Sequence, residues 1–144
     1  MGQLTMTKAE REAFLADVRV GVLAVNGDGA PSLTPIWYSY EPGGEVVMHT
    51  AGESPKTALL RAAGRASLCV QTETAPYKYV VVEGPVVVED FADAAWRRST
   101  AHRYLGAELG DMYMDATTDT EPGSVMVRLT PERWRTTDYA KQWA

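Results

Sequence analysis

The stretch Met48-His49-Thr50-Ala51-Gly52-Glu53-Ser54-Pro55-Lys56-Thr57-Ala58-Leu59-Leu60 reads as the end of a strand, a short loop and the opening of a helix. Ser54 suits the N-cap, because its hydroxyl accepts from a free amide of the first turn. Pro55 suits the first helical position, where no amide hydrogen is needed. The remaining free amides and the Lys56 ammonium then converge at the positive end of the helix dipole, an arrangement that accommodates a phosphate. The same residues also read as an ordinary capped helix with a solvated lysine, and the local pattern leaves both readings open.

Working outward, Gly64 should end this helix in a left-handed conformation, and Arg65 to Thr72 follows as a strand. Upstream, Thr7-Lys8-Ala9-Glu10 is a capping-box pattern that starts a short helix with Phe14 and Val18 on one face. Val20 to Val25 and Ser32 to Tyr40 read as two antiparallel strands across the hairpin signal Asn26-Gly27-Asp28-Gly29, and Pro42-Gly43-Gly44 turns the chain into a strand from Glu45 to Thr50. Downstream, Tyr77 to Val82 and Pro85 to Glu89 form one long strand kinked at Gly84. Asp90 caps a helix from about Phe91 to Tyr104, with Trp96 and Leu105 as core contacts. Gly106 breaks it before Leu109 to Met114, and the polar stretch Asp115 to Gly123 reads as a surface connection. Ser124 to Thr130 and Trp134 to Tyr139 are the last strands, joined through Pro131. Six or seven short strands with few long helices predict a mainly β (α+β) fold, an antiparallel barrel with flanking helices.

The 144 residues predict a single domain spanning 1–144, and 45% hydrophobic content places it in the globular class. A net charge of −5 without long blocks of like charge disfavours nucleic acid and anionic membrane as partners. No run approaches the roughly 20 apolar residues of a membrane span and no leader pattern opens the chain, so the expected location is the cytoplasm. The single cysteine, Cys69, lies in an apolar run and is expected as a core thiol.

Chemistry is scarce. His49 and His102 lie at no spacing that builds a metal site with Cys or carboxylates, so no metal is expected. There is no G-x-S-x-G elbow, and the glycine doublets lack dinucleotide or P-loop spacing. A chain with an anion site and little acid–base equipment of its own is suited to a cofactor that brings the chemistry with it.

The order of pieces resembles the pyridoxamine 5'-phosphate oxidase-like split β-barrel family of flavin and deazaflavin binders. The carrying features are Ser32-Leu33-Thr34-Pro35-Ile36-Trp37, then Val46-Val47-Met48-His49-Thr50, Ser54-Pro55-Lys56, Arg65-Ala66-Ser67-Leu68-Cys69-Val70, and Tyr79-Val80-Val81-Val82-Glu83-Gly84-Pro85-Val86. The resemblance covers about residues 10–140. It implies a homodimer with cofactor sites at the subunit interface. Thr50, Ser54 and Lys56, with Ala51 and Pro55 in the same loop, would hold phosphate, while Pro35, Ile36 and Trp37 border the ring. His49 would contribute its backbone, and Gln71, Lys78 and Tyr79 would approach from the other subunit. The strand Thr34-Pro35-Ile36 carries no cation, where the flavin-mononucleotide (FMN) members commonly place an arginine; it resembles more closely the branch using the 8-hydroxy-5-deazaflavin coenzyme F-420. Arg61, Lys78 and Arg103 are candidates for that coenzyme's glutamyl tail.

The expected activity is hydride transfer between F-420 and a conjugated, fairly apolar small acceptor, with Tyr79 or a water as proton donor. The alternatives are an FMN-dependent oxidoreductase of the same fold, or a carrier or sensor that binds the cofactor, or a haem-like ligand through His102, without turnover. The two runs Val80-Val81-Val82 and Val86-Val87-Val88 supply more β-branched surface than one small barrel needs, which also points to a dimer.

Overall fold

The Thr7 hydroxyl accepts from the Glu10 amide at 3.2 Å while the Glu10 carboxylate accepts from the Thr7 amide at 2.7 Å, completing the capping box that starts α1 (Lys8–Ala16). In this computed structural model, which describes residues 2–120 and 122–143, α1 buries Phe14 and Leu15. The helix stops at Ala16, so Val18 falls beyond it and is exposed, contrary to its expected pairing with Phe14.

β1 (Gly21–Val25) pairs antiparallel with β2 (Ser32–Ile36), as the hairpin signal required. The expected single strand from Ser32 to Tyr40 is instead two. After Ile36 the chain leaves β1, and β3 (Ser39–Tyr40) pairs with β4 (Val46–Ala51) in the second half of the sheet. The cause is long-range. The Tyr38 amide donates to the Tyr104 hydroxyl at 3.2 Å, and the fully buried Tyr38 ring sends its own hydroxyl to the Leu15 carbonyl at 2.7 Å. Packing against two helices therefore replaces strand pairing at this point.

α2 (Pro55–Ala63) ends at Gly64, whose φ of 67° is the left-handed cap the sequence predicts. β5 (Arg65–Gln71) then pairs with β6 (Lys78–Glu89), the strand on which the two halves of the barrel meet. The first half of β6 also pairs with β8 (Arg133–Asp138), and Val86 to Glu89 pair with β7 (Ser124–Leu129). The strand order is β2-β1-β5-β6-β7-β4-β3, with β8 also on β6. At the change of partner Gly84 lies against the Thr130 carbonyl so closely that an added Cβ would sit 1.8 Å from the oxygen. A backbone can approach this near only at glycine. The eight strands form the antiparallel split barrel with flanking helices that the sequence predicts, its interior filled by residues such as Leu23, Met48, Leu68, Val80 and Val127.

α3 (Ala94–Leu105) starts later than expected, because Asp93 caps it by accepting from the Trp96 amide at 2.9 Å. Asp90 pairs instead with Arg61 at 2.6 Å. Leu105, expected in the core, is exposed at the end of α3, where Gly106 turns the chain into α4 (Ala107–Ala116). The polar stretch after Met114 finishes α4 and continues as a short 3-10 turn, Thr118–Thr120; Glu121 within it lies outside the described residues. No described helix is long and apolar enough to cross a membrane.

Candidate cofactor site

Five elements converge on a cleft of about 360 Å³. The end of β2 and the residue after it supply Pro35, Ile36 and Trp37; β4 supplies His49 and α2 supplies Lys56. The opposite wall comes from α3, through Trp96, Arg97 and Thr100, and from α4, through Tyr113.

At the polar end, the Ser54 hydroxyl accepts from the Thr57 amide at 3.2 Å and lies 3.0 Å from the Thr57 hydroxyl. The Thr57 hydroxyl gives its one hydrogen to the Ala51 carbonyl at 2.6 Å, so Ser54 must donate to Thr57. The Ser54 proton thus holds the loop on the helix, beside Lys56 in the loop expected to hold phosphate. Thr57, fully buried, is the locking residue that the sequence reading overlooked. The Thr50 side chain is likewise buried, on the side of β4 away from His49.

Lys56 differs from its neighbours. It is half-buried, and among the described residues neither its ammonium nor its amide has a hydrogen-bond or ion-pair partner. Desolvation lowers its pKa, and no carboxylate among the described residues offsets the effect. A partly desolvated cation at a helix N-terminus, without a counter-ion among the described residues, presents an electrostatic demand that an anionic ligand satisfies.

At the other end Trp37 is held in place. Its ring stacks on Tyr104 with centroids 5.0 Å apart and planes within 4°, and Tyr113 packs on it at 5.1 Å in a tilted arrangement. Tyr104 is fixed in turn by its hydroxyl, which donates to the Arg19 carbonyl at 2.6 Å. Trp96 donates its indole hydrogen to the Ser39 hydroxyl at 2.8 Å. Arg97, 5% exposed, reaches the Thr117 hydroxyl at 2.9 Å and brings a second cation to the cleft. Trp96, Arg97, Thr100 and Tyr104 fall on one face of α3, and that spacing was the signal available for them in the sequence.

Pro35, Ile36, Trp37, His49 and Lys56 are therefore brought together at the cleft wall. The others lie elsewhere in the protomer. Arg61 pairs with Asp90 beside a separate concavity, Arg103 donates to the Ala16 carbonyl at 2.8 Å, and Lys78 approaches Asp138 at 4.0 Å. Gln71 and Tyr79 are directly paired across β5 and β6. Gln71 lines a broad concavity of about 950 Å³ on the outer face of the sheet, which adjoins the cleft through Val20 and Pro35. Cys69 lines this same face half-buried and is not a core thiol; burial raises its pKa and keeps it protonated. His102 bonds Asp111 at 2.7 Å between α3 and α4 and does not line the cleft. No cluster of potential metal ligands occurs among the described residues.

The fold is thus a split barrel whose cleft joins an aromatic wall to the start of one helix. A family model described as Pyridoxamine 5'-phosphate oxidase matches residues 7–138, and the chain belongs to this family, which includes flavin-dependent oxidoreductases. Among solved structures it is similar to a conserved hypothetical protein of Mycobacterium tuberculosis, with a TM-score of 0.77 and 26% identity over 100% of this chain and 92% of that one. An F420 reductase matches with a TM-score of 0.70 and 19% identity, covering 86% of this chain and 94% of the other. A FAD-binding protein of Mesorhizobium loti matches with a TM-score of 0.63 and 24% identity, over 92% and 94% of the two chains. No curated protein matches.

Proposed function

We propose that the protein is an oxidoreductase that uses the deazaflavin coenzyme F-420 to reduce a conjugated, fairly apolar small acceptor. The observation that carries the reading is the Lys56 ammonium, partly desolvated and without a counter-ion among the described residues, in a cleft that also has an aromatic wall. The chain's residues fit such a cofactor: Lys56 and the start of α2 would hold its phosphodiester, and Pro35, Ile36 and Trp37 would border the ring. The absence of a cation on β2 favours a monoanionic phosphodiester over the dianionic phosphate of FMN, and the F420 reductase of the same fold is in keeping with that choice. The cofactor supplies the hydride chemistry. The protein orients the ring, excludes water through the stacked Trp37, Tyr104 and Tyr113, and keeps the charged phosphate end apart from the apolar end.

Gln71, Lys78 and Tyr79 enter the same reading through a twofold dimer. They do not line their own protomer's cleft, whereas the outer sheet face bearing Gln71 adjoins it, so a second copy packed on that face would bring such residues to the neighbouring site. Tyr79 remains the proposed proton donor in that arrangement. Arg61 and Arg103 lie outside the cleft and are proposed only for an extended, anionic tail.

Titration of the purified apoprotein with F-420 and with FMN, followed by fluorescence, tests the assignment, with tighter binding of F-420 expected. Equal or stronger binding of FMN overturns the cofactor choice, and tight binding without turnover across a panel of enones and quinones makes the protein a carrier.

A further inference from the structure

We propose that the outer face of α4 seats an uncharged apolar tail of the acceptor, so that the substrate is an amphiphile whose conjugated carbonyl head enters the cleft. This rests on the oxidoreductase reading above. Leu109, Met112 and Tyr113 recur at helical spacing along one stripe of α4. Leu109 is 56% exposed and Met112 60%, and these are large apolar side chains that the core leaves in water. The stripe runs into the cleft. Tyr113 belongs to both, since it lines the cleft and packs on Trp37 at 5.1 Å.

Charge decides what the stripe can take. α4 carries Glu108, Asp111 and Asp115 and no lysine or arginine. Asp111 is held by Arg98 at 2.8 Å and by His102 at 2.7 Å. A helix whose own charges are all negative is unsuited to an anionic lipid surface, for which basic residues beside the apolar face are the usual means of attraction. Size limits the head. At about 360 Å³ the cleft is near the lower end of ligand pockets, so a longer chain has to leave it, and the Tyr113 rim is the exit that leads onto the exposed Leu109 and Met112, opposite the one through Val20 and Pro35 to the outer sheet face. For an enone head, a hydride from the reduced cofactor adds to the β-carbon and a proton from Tyr79 or water to the α-carbon; the C=C bond becomes a single bond and the cofactor is oxidised.

The test uses 3-methyl-, 3-butyl- and 3-octylcyclohex-2-enone below their micelle concentrations. Binding to the full chain is followed by tryptophan fluorescence, and KM is measured with reduced F-420 and with reduced FMN. Half-burial of four extra methylenes should tighten binding about tenfold from butyl to octyl. Leu109→Ser/Met112→Ser should abolish that gain and leave the methyl compound unchanged, because exposed substitutions of this kind rarely disturb folding. Equal affinity for methyl and octyl in the unsubstituted protein, or an octyl gain that survives the double substitution, overturns the proposal. So does sedimentation showing that the double variant is monomeric where the parent is dimeric, since the stripe would then be covered by a second copy. A chain-length gain in binding without turnover with either cofactor leaves the tail site standing and removes the oxidoreductase reading.

Discussion

The two walls of the cleft are built in different ways. The β4–α2 wall is local: Ala51, Ser54, Lys56 and Thr57 lie within seven residues, and the hydrogen bonds among Ala51, Ser54 and Thr57 follow from the chain order. The α3–α4 wall is assembled at long range, with Tyr104 meeting Trp37 and Arg19 across 67 and 85 residues of sequence. The local wall offers Lys56, and the distant wall offers aromatic surface together with Arg97. Charge placed by a short motif can hold a phosphate in register, while an aromatic wall built by packing can change with the acceptor and leave the phosphate end intact.

Lys56→Ala should separate the walls most sharply. Loss of a charge-assisted contact of about 1.5–3 kcal/mol should weaken cofactor binding by roughly ten- to a hundredfold. Stability should move by no more than about 0.5 kcal/mol, since the side chain lies outside the core. Isothermal titration and urea unfolding read the two quantities, and unchanged affinity would reduce the local wall to a capped helix. Desolvation lowers the Lys56 pKa, so affinity should decline with rising pH before an ordinary lysine deprotonates, and the decline should vanish in the alanine variant.

Tyr104→Phe probes the distant wall. The stack on Trp37 is retained, but the partly buried Arg19 carbonyl loses its donor, at a cost of about 1–2 kcal/mol. Thermal unfolding should show that loss, with phosphate affinity unaltered. An equal fall in phosphate affinity would mean that the walls are coupled. Ser54→Ala should cost about 1 kcal/mol through the lost cap. Because the Ser54 proton is committed to Thr57, its effect on affinity should be well below that of Lys56→Ala.

The smallest effect lies away from both walls. Lys141 and the capping box hold the exposed Glu10 carboxyl down to about pKa 2 from an ordinary value of 4.5. A depressed carboxyl contributes its stabilisation above the unfolded value and loses it as pH falls from 4.5 towards 2. NMR titration should place the Glu10 midpoint in that low range, with fraying confined to α1 and the chain end.

The sequence by itself determined what depends on neighbouring residues. The caps at Thr7, Ser54 and Gly64, the hairpin after Val25 and the single long strand through Gly84 follow from residue chemistry over a few positions. The family resemblance rested on that order of elements, and the family match over residues 7–138 is in accord with it. Only the tertiary structure decided that Ser32 to Tyr40 divides at Trp37, that Asp93 and not Asp90 caps α3, and that Trp96, Arg97 and Tyr113 join the cleft. The physical reason is the range of the competing interactions. A β-strand pattern at Trp37 and Tyr38 is a modest preference, and it yields where burial of Tyr38 and the Tyr104 hydrogen bonds offer more than a further strand pairing. Whether a side chain on α3 faces water or a ligand depends likewise on where the barrel lies beneath it, and no short stretch of sequence contains that information.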